Sequence, residues 1–209
     1  MKYTKLPTDF SKKIQINAGI LMSSFTPSTA TVSGIIGATS GGLNFKATPI
    51  YKDLGADIDN CPKNSKEMLR VDGYEITCSG TFSSVDENTA LRLSGPARVT
   101  KETGSNLAKV EPLNNIIVSS HFHDMWLVCD YSDINEDTTG SAAKSAGFIA
   151  IHMINTLSTG GFQMQTVDKE KGKFSFEFKA YSSIQNPDDV PCEIYFYSDS
   201  ETDSSSNGG

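Results

Sequence analysis

Residues 145–181, SAGFIAIHMINTLSTGGFQMQTVDKEKGKFSFEFKAY, confine the chain to a β architecture. An apolar run comes first, then a Ser-Thr-Gly-Gly break, then two alternating segments joined by a charged turn. Phe174, Phe176 and Phe178 alternate with Ser175, Glu177 and Lys179, which puts three aromatics on one face of a strand. Across the turn, Phe162, Met164 and Thr166 alternate with Gln163 and Gln165, so residues 162–181 read as a hairpin. Its second face is polar and largely uncharged. That suits a sheet that pairs or stacks with something better than the wall of a catalytic cleft.

The rest of the chain repeats the theme. Ile14, Ile16, Ala18, Ile20 and Met22 alternate in a first strand, 14–22. Gly41-Gly42 opens a second, 43–50, and Val71–Phe82 is a third with Tyr74, Ile76, Cys78 and Phe82 in one register. Between them, Tyr51–Leu69 reads as a long irregular loop carrying Asp53, Asp57, Asp59, Lys63 and Lys66, and a loop of that length is usually functional. One helix is expected: Ser84 with Glu87 forms a capping box, and Gly95-Pro96 stops the helix 85–93. Residues 97–120 carry no clear pattern. Trp126 lies in a buried-looking strand, 123–131, followed by an acidic small-residue loop, 133–144, and strands at 146–155 and 192–197. The stretch 198–209 holds Ser, Asp, Glu and Gly with no apolar residue and reads as a disordered tail. An echo between Ala38–Thr48 and Leu157–Thr166 places a Gly-Gly pair before each alternating strand, as bends often require.

At 209 residues the chain can bury a real core, and one domain over residues 1–197 is favoured over two. Its net charge of −7 is unevenly spread. From Lys109 to Lys144 there are six acids and no base between, and after Lys179 six more acids and again no base. Elsewhere 18 bases face 13 acids, so unlike-charged surfaces could meet head to tail, and a tight grip on nucleic acid is disfavoured. The start, MKYTKLPTDFSKK, lacks the apolar run of a signal peptide, and no stretch is long enough to span a membrane, so a cytoplasmic product is expected. The cysteines Cys61, Cys78, Cys129 and Cys192 are widely spaced with no CxxC pair, as free thiols are in a reducing compartment.

Signals for catalysis are sparse. His121-Phe-His123-Asp124 offers two imidazoles two residues apart, which on a strand face the same side, but a metal site needs further ligands. Cys129 with His152 has the residue types of a nucleophile pair and nothing more specific. Asp53, Asp57 and Asp59 imitate a calcium loop without its glycine or distant glutamate, and Asp130, Asp133 and Asp137 read as a solvated acidic loop. The chain holds no phosphate-binding loop, dinucleotide fingerprint, nucleophile elbow or zinc-protease motif. No cofactor and no enzymatic activity is expected.

Several separated segments resemble one family. IQINAGIL at 14–21, IGATSGGLNF at 36–45, DIDNCPK at 57–63, GFIAIHMIN at 147–155 and STGGFQMQ at 158–165 are similar to the major tail protein of long, non-contractile-tailed bacteriophages and prophages of Gram-positive hosts. The likeness spans nearly all of residues 10–197. It implies a mainly β fold, a sandwich or barrel with one flanking α-helix, whose inner β-barrel is completed by ring assembly. It further implies hexameric rings that stack into a tail tube in the virion. DNA would pass through without specific binding, and the partners would be the tape-measure, terminator and baseplate or distal tail proteins, with no membrane. Within that reading, Asp53, Asp57, Asp59, Lys63 and Lys66 are candidate subunit or ring contacts, and Glu75, Gln163, Gln165 and Glu177 are candidate lumen-facing residues. Carboxylates in a lumen would leave sliding phosphates nothing to stick to. The competing expectations are a terminator, a decoration protein or a carbohydrate-binding β-sandwich, and a metal-dependent enzyme built on His121, His123 and Asp124.

Overall fold

In the computed structural model the described residues are 14–15, 18–102, 104, 106–114, 116–131 and 147–198. The expected acidic loop at 133–144 and the tail at 199–209 lie outside them. The fold is mainly β with a single α-helix, as expected for a sandwich or barrel with one flanking helix. Among the described residues ten strands run in chain order: β1 (Ile20–Thr26), β2 (Thr31–Ile35), β3 (Thr39–Asp53), β4 (Leu69–Phe82), β5 (Ala97–Lys101), β6 (Ala108–Pro112), β7 (His123–Asp130), β8 (Gly147–Ser158), β9 (Phe174–Ala180) and β10 (Cys192–Ser198). The helix α1 (Glu87–Leu93) lies between β4 and β5.

Eight strands make one antiparallel sheet in the order β2-β1-β7-β8-β9-β4-β3, with β10 paired to β8 off that path, while β5 and β6 form a separate hairpin beside α1. A flat sheet in that order would be about 29 Å wide. Yet its two end strands, β2 and β3, are joined by residues 36–38 alone, which with the flanking bonds reach at most about 14 Å. The sheet must therefore curl. Ile36 N–H donates to Leu21 O at 2.9 Å on the β1 side, and Ser83 N–H donates to Ala38 O at 2.7 Å on the β4 side, so the linker ties both ends. Gly37 sits at the closest approach: a Cβ there would lie 3.0 Å from a Phe82 ring carbon and 3.2 Å from Ser84 O.

The core fills the inside of the curl. Leu21, Ile76, Cys78, Phe82, Leu93, Met125, Met153, Phe176 and Phe178 are buried in one cluster, with Phe82 and Phe176 stacked at 4.4 Å. Alternation along β1, β7 and β8 turns Met22, Trp126, Val128, Phe148 and Ala150 to the other face, where they form a second buried cluster with Phe25. The apolar runs MWLV and FIAI are thus strands covered on both faces, which period-two alternation does not describe.

Several local expectations are corrected. The first strand begins at Ile20 rather than Ile14: Leu21 and Met22 are buried, Ile20 is exposed, and upstream Gln15 forms an isolated bridge to Tyr131. The helix starts at Glu87 because Asp86, not Ser84, caps it, accepting from Thr89 N–H at 2.7 Å. Tyr74 lies in β4 but is exposed. Gly41 and Gly42, with φ of 79° and 82°, form the bulge inside β3 that a residue with a side chain would resist.

The expected hairpin at 162–181 is not built as two strands. One edge of β9 pairs with β4 from Ile76 to Phe82, and the other pairs with the end of β8 and then accepts at Glu177 O from Thr159 and Gly160 N–H. That second edge is occupied from Glu177 to Ala180, and residues 161–173 leave the sheet with one bridge, Gln165 to Lys173, so that Phe162 and Met164 stand exposed. Gly160-Gly161 is therefore an exit from the sheet and Gly41-Gly42 a bulge within it, so the sequence echo has no structural counterpart.

Removing the stacked core ring should cost far more than altering the far end of β3. Phe82→Ala is expected to lower the urea-derived unfolding free energy by about 3–5 kcal/mol. Ile50→Ser, half exposed, should stay within about 0.5 kcal/mol.

Candidate functional site

The most distinctive surface is the outer half of the β3–β4 hairpin. β9 covers β4 only from Ile76 onward, so residues 69–75 have no strand on their second edge among the described residues. β3 ends the sheet among the described residues, with Pro49 in the position an edge strand tolerates. Beyond Ile76 the β3–β4 ladder is therefore a two-stranded ribbon, and its β4 side faces Ser182 and residues 187–191 across a cavity. The loop expected at Tyr51–Leu69 is shorter than it read, residues 54–68, because both its ends continue as strand. Register shifts at Ile50/Tyr51, where Asp72 is the extra residue, and Tyr51 then sits opposite Val71. Ile50, Tyr51, Leu54, Ile58, Leu69, Val71 and Tyr74 are all exposed on the ribbon and its loop. The signal was available in the apolar residues of 50–58 and 69–74, but a count of charges hid it.

Of the candidate contact residues, Asp53 is committed internally: its two carboxylate oxygens accept from Gly55 N–H at 2.8 Å and Asn64 N–H at 3.0 Å, closing the loop. That leaves no arrangement resembling a calcium loop. Asp57, Asp59, Lys63 and Lys66 are exposed on the loop, with Lys66 3.6 Å from Glu67. The register of β3, β4 and β9 brings Asn44, Lys46 and Thr48 beside Glu75, Thr77, Ser79, Glu177 and Lys179 on one outward face. Lys179 bridges to Glu75 at 2.8 Å, a contact that holds the Glu75 carboxyl below its usual range and pushes the Lys179 ammonium up. Glu177 accepts from the Thr159 hydroxyl at 3.0 Å. Glu75 and Glu177 thus share a face whose lysines match its acids, polar but not acidic. Gln163 and Gln165 are exposed on the outward loop instead, Gln163 donating to Gly160 O at 2.8 Å.

The histidine motif does not converge. His121 closes a 3-10 turn (Ser119–His121) and its Nδ1 accepts from Val118 N–H. His123 opens β7 half-buried beside Arg92, and both burial and that guanidinium push its pKa down. Asp124 turns to β8, accepting from Asn155 N–H at 3.0 Å. No group of three or more metal-ligating side chains occurs among the described residues. His152 pairs with carboxylates, not with Cys129: it stacks on Trp126 at 4.1 Å, with Nε2 3.4 Å from Asp124 and Nδ1 3.4 Å from Glu193. Cys129 lies on the core side of β7, opposite to Trp126, and burial pushes its thiol up rather than toward thiolate.

No helix among the described residues is long and apolar enough to cross a membrane. The chain matches no protein-family model, and no curated protein matches it. What it does is therefore argued from its own geometry.

The thiols give a test of that geometry. Burial raises Cys78 from the ordinary 9.0 to about 12 and Cys192 to about 11. The folded state keeps these protons while the unfolded state releases them. Stability is thus whole below pH 9.0 and falls as pH rises toward about 11 and 12. Each thiol contributes a slope of at most about 1.4 kcal/mol per pH unit. Urea denaturation across that range should show the decline, and Cys78→Ala should flatten it despite a lower starting stability.

Proposed function

We propose that this chain is a structural virion protein that forms hexameric rings stacking into a phage tail tube, a conduit for DNA during ejection. The observation that supports it most is the two-stranded outer half of the β3–β4 ladder, whose edges no described strand pairs, with exposed Ile50, Tyr51, Leu69 and Val71. A two-stranded ribbon is marginal alone in water, and an unpaired edge is a template for another strand. Copies set around an axis satisfy both demands at once, each ribbon lying against the next until the ring closes and no edge is left. Pro49, lacking an N–H, limits such pairing to either side of it. The loop 54–68, with Asp57, Asp59, Lys63 and Lys66, extends past the ribbon and would reach a neighbouring subunit or ring.

The outward face of β3, β4 and β9 suits a lumen. Its threonines, serine and asparagine offer weak, neutral contacts, and the Glu75–Lys179 pair cancels a charge that would otherwise grip phosphate. In this reading the tape-measure, terminator and baseplate proteins meet the tube at its inside and its ends, and the DNA is cargo.

Negative-stain microscopy with light-scattering mass tests assembly. Concentrated protein should give hollow tubes or six-fold rings. Tyr51→Lys combined with Val71→Lys, and separately deletion of residues 56–66, should give folded protein that no longer assembles. Tubes formed equally well by both variants would remove the ribbon and loop from assembly. A second prediction concerns the lumen: Glu75→Lys or Glu177→Lys should slow DNA ejection from particles carrying it. Unchanged ejection would place that face elsewhere.

A further inference from the structure

The two ends of β4 are unfinished in complementary ways. At its last residue, Phe82 pairs with Phe174, so the loop 161–173 enters the sheet at that end. At its first residues, 69–75, no described strand pairs the second edge, and Ser182 and residues 187–191 stand off from it across a cavity of about 290 Å3. The loop holds a segment fit to be a strand but not built into one. Phe162, Met164 and Thr166 alternate with Gln163 and Gln165, and Phe162 and Met164 are 47% and 59% exposed. Gln165 exchanges both backbone bonds with Lys173, at 2.8 and 2.9 Å. In a pleated chain the residues on either side turn their N–H and C=O groups to the opposite edge. Phe162, Met164 and Thr166 make no backbone hydrogen bond among the described residues, so that edge is unused.

The segment and the β4 edge do not meet within one copy. Lys173 lies one residue beyond the Phe174–Phe82 pair, which puts Gln165 roughly 35 Å along the strand axis from Val71. Residues 162–167 extend no more than about 11 Å to either side of that anchor. We infer that residues 162–167 of one copy add as a third strand to the β4 edge at 69–75 of a second copy, joining the two end to end. Backbone bonds supply the attraction, and Phe162 and Met164 cover apolar side chains exposed on the ribbon, Leu69, Val71 and Tyr74. Charge favours the same partner. The turn after the segment carries Lys169, Lys171 and Lys173 against Asp168 and Glu170, while Asp72, Asp188 and Asp189 line the cavity against Arg70. The outer edge of β3 stays available to a copy alongside. The pairing does not rest on the ring proposed above; where rings form, it is the contact that stacks them.

Mixed disulfides test it on the full chain. In a Cys61→Ser background, Met164→Cys protein mixed with Leu69→Cys or Val71→Cys protein should cross-link under mild oxidation. It should do so far less with Thr100→Cys, exposed on β5 where the pairing places nothing. In sedimentation, Met164→Pro should weaken the self-association of the chain about tenfold or more by removing a donor from the open edge. It should melt with wild type, because that N–H makes no bond within one copy. Met164→Asp with Thr166→Asp keeps the backbone, repels the acidic cavity, and should give the same loss. The inference is overturned if neither ribbon position cross-links above the Thr100→Cys control, or if both loop variants associate as wild type does. Cross-linking without rings in the microscope would keep this pairing and remove the ring. Tubes from both loop variants would keep the ring and remove this pairing.

Discussion

Three residues, Ile36, Gly37 and Ala38, fix the shape of this molecule. They join strands at opposite ends of a sheet order that, laid flat, would be about twice as wide as they can reach. Everything else follows from that closure. Curling gives the sheet a concave inside that must be filled, and the large side chains of β4, β7, β8 and β9 fill it. Helix α1 lies against the linker, with Thr89 bonded to Ile36 O and Leu93 in the core. The cost of closure is steric crowding at Gly37, where the chain passes within contact of Phe82 and Ser84 with no room for a side chain.

The β3–β4 hairpin outlasts its neighbour. β9 stops at Ala180, level with Ile76 of β4 and Thr156 of β8, while β4 and β8 both run on past that level. Residues 39–48 and 76–82 belong to the continuous sheet; beyond them no described strand pairs the second edge of β4, and residues 187–191 stand beside it across a cavity. The exposed apolar residues there are thus an outcome of strand lengths that do not match, and strand lengths in a finished sheet usually do. That mismatch is the physical basis for reading the chain as one part of a larger closed β-structure.

Much of this was legible in the residues, and the failures share a cause. Alternation located β4 and β9 because each buries one face, and capping residues located α1 to within two positions. The same rule failed at 162–166, where Phe162 and Met164 alternate as well as any strand. Periodicity tells whether a segment can pleat, but not whether an edge is free to receive it, and both edges of β9 are taken from Glu177 to Ala180. It failed again before β1, where Ile14, Ala18 and Ile20 fit the alternation but stand exposed. The pairing of His152 with Asp124 and Glu193 rests on register between β7, β8 and β10, which no local pattern encodes.

The ladder between β4 and β9 has a mechanical meaning. Among the described residues it is the ribbon's one lateral attachment to another strand, seven residue pairs from Ile76–Ala180 to Phe82–Phe174 running parallel to the ribbon axis. A pull on the ribbon tip along that axis is shared by all of those bonds together, so none can yield before the rest. A sideways push instead concentrates on the Ile76–Ala180 end and opens the bonds one after another. The protein is stiff along one direction and compliant across it.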